Sequence, residues 1–258
     1  MTDWDPHRYR RFETERTQPA VDLLSRVRRK TAKLVVDLGC GPGNSTELLA
    51  ARFPEAEIIG IDTSPAMIET AQARLPHCRF AVADLAAWRP ETPPDVIFAN
   101  AVLQWLPDHA ALLPRLMAHL PAAGTLAIQM PDNLGAPSHS LMRSVASQGP
   151  WADRLAPAAA DRTILPPLDD YYDLLIRHAE TVDVWRTTYH HPLASAAAIV
   201  DWVRSTGLRP FLNRLDPAEQ EEFLKRYQAS LEEAYPARAD GLRLLGFERV
   251  FMVATRVG

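Results

Sequence analysis

The chain has 258 residues, 47% of them hydrophobic, enough for one large α/β domain without requiring a second. Its formal net charge of −4, from 28 basic and 32 acidic residues, makes no general electrostatic case for nucleic acid, and no apolar run reaches the roughly 18–20 residues that a membrane span needs. The two cysteines, Cys40 and Cys78, form no CxxC pair, so no metal is expected, and residues 1–6 lack the basic start and apolar stretch of a secretory signal; a cytoplasmic protein in a reducing compartment is the expectation.

Residues 1–16 scatter Trp4, Tyr9 and Phe12 among charges. The spacing then predicts a helix that opens at Thr17, with Pro19 in its first turn and Ala20, Leu23, Leu24 and Val27 as its buried stripe. The run Arg26, Arg28, Arg29 and Lys30 reads as a solvated face. Strands are predicted at 34–38, 58–61, 79–82, 96–99 and 125–129. They alternate with helices at 44–53, from Ser64 and Pro65 onward, and near 109–120, where Pro114 should kink or delay the helix. Short apolar strands alternating with helices predict an α/β fold, a doubly wound and mostly parallel sheet covered on both faces.

Past Met130 the pattern loosens. Helices are predicted at 138–147, 169–179, 195–205 and 216–234, with Gly207 where a helix C-terminal glycine would sit. An alternating stretch at 181–190 and a last strand at 247–256 bring the strand count to seven and are expected as an antiparallel edge pair. The expected organisation is a single domain with a core at about 31–130 plus the late strands, an N-terminal lid at 1–30, and helical insertions at about 131–170 and 193–240 capping the C-terminal strand ends.

In an open parallel sheet, ligands bind beyond the carboxyl ends of the strands. The first strand ends in Asp37-Leu38-Gly39-Cys40-Gly41-Pro42-Gly43, whose glycines let the backbone approach a ligand and whose following helix offers free N–H groups. Asn44 stands where the third glycine of a dinucleotide fingerprint would, that glycine coming one residue early at Gly43, and no Gly-Lys-Ser/Thr follows as in a phosphate-binding loop. At the end of the second strand, Asp62 can accept hydrogen bonds from both hydroxyls of a ribose and would repel a 2′-phosphate. After the third, Asp84 can accept from an adenine amino group with Leu85 against the ring. After the fourth, Asn100, Ala101 and Trp105 fall near the reactive end of such a ligand. A lone Asp after a strand is more often a turn former; four consecutive strand ends form a consistent nucleoside-binding set.

These motifs resemble the class I S-adenosylmethionine-dependent methyltransferases over roughly residues 30–130. The outer segments resemble the trans-aconitate 2-methyltransferase family among them. They are Trp4-Asp5-Pro6 with Tyr9, Phe12, Pro19 and Ala20; Ile97–Ala101 with Gln104-Trp105-Leu106-Pro107-Asp108; Gln129-Met130-Pro131-Asp132-Asn133; Asp183–Tyr189; and Asp201-Trp202-Val203 with Thr206–Pro210. The resemblance implies a Rossmann-like class I fold and S-adenosylmethionine as cofactor, with S-adenosylhomocysteine as product. The cofactor contacts it implies are Asp37, Gly39, Cys40, Gly41, Gly43, Asp62, Thr63, Met67, Asp84, Leu85, Asn100, Ala101 and Trp105.

It further implies monomethyl esterification of trans-aconitate, a small tricarboxylate. A carboxylate is already ionised near neutral pH, so no general base and no catalytic residue is expected beyond positioning by Trp105 and Tyr9. A trianion calls for cations, and Arg16, Arg186, Arg204 and Arg209 are the candidates, with Tyr9 and Trp105 beside them and Tyr189 and Trp202 as further walls. His190 and His191 read as a polar loop pair or a substrate contact. A monomer or weak homodimer is expected, with neither nucleic acid nor membrane as partner. A different oxygen or nitrogen acceptor, or a related ligand-binding protein without methyl transfer, are the alternatives; the glycine spacing disfavours a nicotinamide dehydrogenase.

Overall fold

A computed structural model of the chain describes residues 13–160, 164–204 and 206–258. Trp4, Tyr9 and Phe12 lie outside the described residues, as does the side chain of Arg16.

The first described helix, α1 (Glu13–Ser25), starts ahead of Thr17 and holds Pro19 in its interior. The apolar stripe supplies the reason: Ala20, Leu23, Leu24 and Val27 are all buried, and the carbonyl that Pro19 leaves without an N–H partner belongs to Glu15, which is exposed to water. The basic run is not simply solvated. Arg26 pairs with Asp183 at 3.0 Å and lies over the Trp185 ring. Arg29 pairs with Asp95 at 2.6 Å, and the other oxygen of Asp95 accepts from the backbone N–H groups of Lys33 and Leu34. These cations fasten the entry to the first strand.

Strands β1 (Leu34–Leu38), β2 (Glu57–Asp62), β3 (Arg79–Val82), β4 (Val96–Asn100) and β5 (Thr125–Pro131) pair in parallel. Helices α2 (Asn44–Arg52), α3 (Pro65–Arg74) and α4 (His109–His119) connect them. Among the described residues seven strands form one sheet, in the order β3-β2-β1-β4-β5-β7-β6, where β6 is Ala179–Leu193 and β7 is Arg243–Arg256. The chain runs outward from β1 through β2 to β3, then returns to begin again at β4. That reversal between β1 and β4 is the switch point at which such sheets open a crevice for ligands.

The central strands are apolar and buried, as parallel strands covered on both faces must be. β3 departs from this expectation. It is the last strand on its edge, with one neighbour, and Val82 is 53% exposed. Helix α4 runs straight through Pro114, whose missing N–H again faces the carbonyl of an exposed residue, Ala110.

Contacts divide the chain into two compact units. The first holds the chain up to Pro131, Leu165–Arg186 and Val250–Gly258; the second holds Asp132–Ile164 and Thr187–Arg249. β6 and β7 each pass from one to the other. The first unit contains β1–β5, α1–α4 and α7 (Leu168–Ile176), around a core that includes Leu38, Ile97, Leu113, Ile128 and Tyr171.

The second unit contains α5 (Pro137–Ala146), α6 (Ala152–Ala160), α8 (Ala196–Arg204), α9 (Arg209–Leu212) and α10 (Pro217–Ala234). Helix α10 opens with a reciprocal cap between Asp216 and Glu219. Trp151, Phe211, Phe223 and Tyr227 are buried in it, and the Tyr227 hydroxyl donates to the Ser138 carbonyl at 2.6 Å. Gly207 does not serve as a left-handed helix end. A Cβ there would stand 3.0 Å from His139 Nε2, so the position is constrained by close approach instead. His190 and His191 belong to β6 rather than to a loop, with His190 exposed and His191 buried.

Candidate active site

The turn after β1 is built on left-handed glycines, with φ of 69° at Gly39, 53° at Gly41 and 93° at Gly43. Gly39 is required twice over. Its backbone is left-handed, and a Cβ would lie 2.3 Å from a methyl carbon of Val102, which enters from the turn after β4. Two bonds tie the turn to the end of β2, from the N–H groups of Gly39 and Cys40 to the Ile61 carbonyl at 2.7 and 3.0 Å. A third runs from the Gly41 N–H to Asp62 Oδ2 at 3.0 Å, while Asp62 Oδ1 accepts from the Ser64 N–H at 2.9 Å. Asp62 therefore braces the glycine turn from the neighbouring strand.

Asp37 sits beneath that turn rather than in it. The carboxyl is buried, and Oδ2 accepts from the hydroxyls of Ser45 and Thr46, each at 2.7 Å, at the start of α2. Burial pushes its pKa up to about 7, partly offset by the two hydroxyls and reinforced by the nearby charge of Asp62. The Cys40 thiol is likewise pushed up by burial, with Asp37 and Asp62 adding to it, so no thiolate is available.

Beyond the strand ends lies a cavity of about 330 Å³. Gly39, Gly41 and Pro42 line it from the first turn, Asp62, Thr63 and Met67 from the second, Asp84 and Leu85 from the third, and Asn100, Ala101, Val102, Trp105 and Leu106 from the fourth. The structure thus gathers ten of the thirteen residues named from the sequence around one space. Asp37, Cys40 and Gly43 do not line it. Cys40 instead borders a neighbouring cavity of about 30 Å³, together with Gly39, Gly41, Pro42 and Asn100 among others. Asn100 touches both cavities, and its buried Oδ1 accepts no protein hydrogen bond among the described residues. Pro42, Val102 and Leu106 were not singled out, although each adjoins a residue that was.

The walls are held from behind. Asp84 Oδ1 accepts from the Ala86 N–H, and Arg115 of α4 donates to the carbonyls of Ala86 and Leu85, which fixes the loop carrying Asp84. After β4 the backbone is left-handed at Ala101, with φ of 55°, and the Ala101 N–H donates to the Gln129 carbonyl at 2.9 Å. Trp105 follows on a short 3₁₀ turn, Leu103–Trp105, and is 40% exposed.

Of the arginines named as substrate cations, Arg186 belongs to the first unit and is not among the residues lining this cavity, Arg204 and Arg209 belong to the second unit, and the side chain of Arg16 lies outside the described residues. Arg186 is exposed on β6, whereas Trp185 turns to the opposite side and stacks on Phe251 at 4.7 Å. Arg204 ends α8 and Arg209 begins α9, both half-buried. Trp202, 3% exposed, packs on His191 and Phe247 inside the second unit, with Tyr189 stacked on His191. In that unit the buried arginine is one the sequence reading did not name. Arg249, 5% exposed, spreads its guanidinium over Phe247 at 5.0 Å and Tyr189 at 5.9 Å. Among the described residues no group of three or more His, Cys, Asp and Glu side chains is placed to hold a metal ion.

Comparison with known proteins agrees with this geometry. Residues 35–124 match the model of a methyltransferase domain family. The chain is 61% identical over 259 residues to the trans-aconitate 2-methyltransferase of Methylobacterium radiotolerans, covering 99% of each chain. It is 57% identical over 254 residues to that of Yersinia pestis, covering 98% of each. Among solved structures, the YcgJ protein of Bacillus subtilis superposes with a TM-score of 0.58 at 11% identity, over 95% of this chain and 99% of that one. The Haemonchus contortus phosphoethanolamine N-methyltransferase 2, solved with phosphomonomethylethanolamine and S-adenosylhomocysteine, superposes with a TM-score of 0.56 at 15% identity; 93% of this chain spans 53% of that one. These two likenesses concern the fold; the 57–61% identity to the named relatives over nearly the whole of each chain is what decides the family. The chain belongs to the trans-aconitate 2-methyltransferase family of class I S-adenosylmethionine-dependent methyltransferases.

Proposed function

We propose that the protein esterifies one carboxylate of trans-aconitate with the methyl group of S-adenosylmethionine, yielding the monomethyl ester and S-adenosylhomocysteine. The observation that carries this reading is the 61% identity, over essentially the whole of both chains, to a trans-aconitate 2-methyltransferase. The cavity supports it, because its residues fit the cofactor. The left-handed turn at Gly39 and Gly41 lets backbone approach a ligand closely, and Asn100 Oδ1 is a buried acceptor with no protein donor among the described residues.

In this reading Asp62 receives the ribose hydroxyls, Asp84 and Leu85 receive the adenine, and Gly39, Gly41, Asn100 and Ala101 receive the amino-acid end, with Thr63 and Met67 as walls. Asp37, Cys40 and Gly43 shape the turn from below. The bound cofactor supplies an electrophilic methyl on a sulfonium. The chain's residues then have a restricted task. The acceptor carboxylate is ionised at neutral pH, so no proton needs to be removed from it. Orientation and exclusion of water contribute on the order of 7–11 kcal/mol in well-placed reactants. Val102, Trp105 and Leu106 offer the apolar surface for that. Asp62 and Asp84 repel a polyanion and so restrict it to the Trp105 end of the cavity. Arg16, Arg186, Arg204 and Arg209 remain the proposed partners of its other carboxylates, with Tyr9 as a further wall. We place the reaction in the cytoplasm and in a monomer or weak homodimer; no helix of the described residues is long and apolar enough to cross a membrane.

The test is methyl transfer from labelled S-adenosylmethionine to a panel of carboxylic acids, amines and phenols. The expected product is a base-labile ester of trans-aconitate, formed in equal amount with S-adenosylhomocysteine. Transfer to amines or phenols with none to trans-aconitate would overturn the reading. For the cations, Arg209→Met is expected to raise the Michaelis constant for the acid, and an unchanged value removes Arg209 from the substrate site.

A further inference from the structure

The turn between β4 and α4 is bracketed by two non-glycine residues in left-handed backbone, Ala101 and Asp108, each with φ of 55°. Such residues persist only where the surroundings hold them. Between them lie Val102, Trp105 and Leu106, which form the wall of the large cavity nearest the proposed acceptor position. The 3₁₀ turn inside this segment is short; Trp105 N–H donates to the Val102 carbonyl, Leu106 N–H to the Leu103 carbonyl and the Gln104 side-chain amide to the Ala101 carbonyl, while β5 takes the Ala101 N–H through the Gln129 carbonyl. Those bonds leave the Leu103 carbonyl open to a second donor.

His109 is that donor. Its Nε2 lies 2.9 Å from the Leu103 carbonyl and its Nδ1 lies 2.6 Å from the Tyr171 hydroxyl. A carbonyl only accepts, so Nε2 carries the proton. In the neutral ring Nδ1 is then an acceptor, and the Tyr171 O–H donates to it. Tyr171 is 1% exposed, anchored in the first unit's core by α7. A relay therefore runs from the core through His109 to the backbone of the cavity wall. Helix α4 does not need this side chain to begin, because Asp108 Oδ1 already caps it by accepting from the Ala111 N–H. His109 does not itself line the cavity.

Resting on the methyl-transfer reading above, we propose that His109, held by Tyr171, is a positioning residue that sets the acceptor wall through the Leu103 carbonyl. The test uses three variants of the full chain. His109→Leu removes both bonds, His109→Gln keeps an amide that can donate to Leu103 and accept from Tyr171, and Tyr171→Phe removes the hydroxyl while keeping the ring. In kinetics with trans-aconitate, His109→Leu is expected to raise the Michaelis constant for the acid or lower kcat, between about 2- and 10-fold, the share of the one lost bond that reaches the wall, to the Leu103 carbonyl. The affinity for S-adenosylhomocysteine should stay within about 2-fold, because Asp62 and Asp84 are held by other bonds. His109→Gln should recover most of the loss, and Tyr171→Phe should add little on top of His109→Leu.

Hydrogen exchange at the Trp105 and Leu106 amides provides a readout that needs no substrate. Exchange should rise in His109→Leu and Tyr171→Phe and return in His109→Gln. Unchanged kinetics and exchange in His109→Leu overturn the proposal, as does an equal loss of acid and S-adenosylhomocysteine binding. Should His109→Leu fail to fold, Tyr171→Phe decides by the same criteria. If the wild type proves not to methylate trans-aconitate, the esterification reading fails by itself, and the exchange result still upholds or overturns the relay.

Discussion

Adding one methyl at Gly39 should damage both folding and binding, by an amount that can be separated into two parts. The first part is conformational: at φ of 69° an alanine is left-handed, which costs about 1–2 kcal/mol. The second is steric. The new Cβ would stand 2.3, 2.4 and 2.9 Å from three carbons of Val102, where carbon atoms normally rest about 3.5–4.0 Å apart, and relieving such overpacking costs about 1–3 kcal/mol. Gly39→Ala should therefore lose about 2–5 kcal/mol and, for a chain of this size, lower the melting temperature by roughly 5–15 °C.

Gly41→Ala is the internal control. It is also left-handed, with φ of 53°, but nothing lies within 4 Å of a Cβ there, so only the conformational part, about 1–2 kcal/mol, applies. Because that Cβ opens toward space at a cavity-lining position, Gly41→Ala should weaken S-adenosylhomocysteine binding more than its stability loss suggests. Truncating Val102 to Ala should not rescue Gly39→Ala, since the Val102 Cβ alone already lies at 2.4 Å, whereas Val102→Gly should restore part of it. Urea melts give the stabilities and titration calorimetry gives the affinities. Equal stability of Gly39→Ala and Gly41→Ala would refute the claim that Val102 is what forbids a side chain at Gly39.

Three further outcomes are expected. The Asp37 carboxyl, at about 7 in the folded chain against an ordinary 3.8, binds its proton more tightly when folded, so its contribution to stability is full below about pH 4 and is lost as pH rises to about 7. Wild-type stability should fall across that window by on the order of 4 kcal/mol relative to Asp37→Asn, measured by denaturant titration at several pH values; parallel pH profiles would reject this. Arg29→Met removes the pair with Asp95 and the bonds to the carbonyls of Thr31 and Ala123, at a cost of about 1–3 kcal/mol visible in thermal melts, with S-adenosylhomocysteine affinity unchanged. Trp105→Ala, at a 40% exposed position, should cost less than about 1 kcal/mol of stability. The same change should lower kcat/KM for the acid at least about tenfold, the share of about 1.4 kcal/mol in transition-state positioning, and full activity would exclude Trp105 from the acceptor wall.

How far such sites are legible in sequence depends on whether the relevant contacts are local. β1, β2, β4 and β5 were recognisable because buried parallel strands must be apolar runs, and the residues following them are fixed to one end of the sheet by chain direction alone. That is why Asp62, Asp84 and Asn100 could be expected around one space from the sequence. Prolines shifted the expected starts and kinks of helices more than their existence. Pro19, Pro114 and Pro157 each lie inside a helix, four residues after an exposed residue (Glu15, Ala110 and Asp153), so the orphaned carbonyl can be hydrated and the usual breaking penalty is reduced; α6, which holds Pro157, is absent from the predicted elements. Facing was also unreadable. Asp37 lies in the same motif as the glycines but points beneath them, and alternation along β7 does not reveal that Arg249 is buried while Arg186 on β6 is exposed. His109 and Tyr171 are 62 residues apart, joined only by tertiary packing. The cavity proposed for the cofactor is lined by consecutive turns, each read on its own strand. The proposed His109 relay instead joins residues distant in sequence, so no strand-by-strand pattern could announce it, and the variants at His109 and Tyr171 are what decide it.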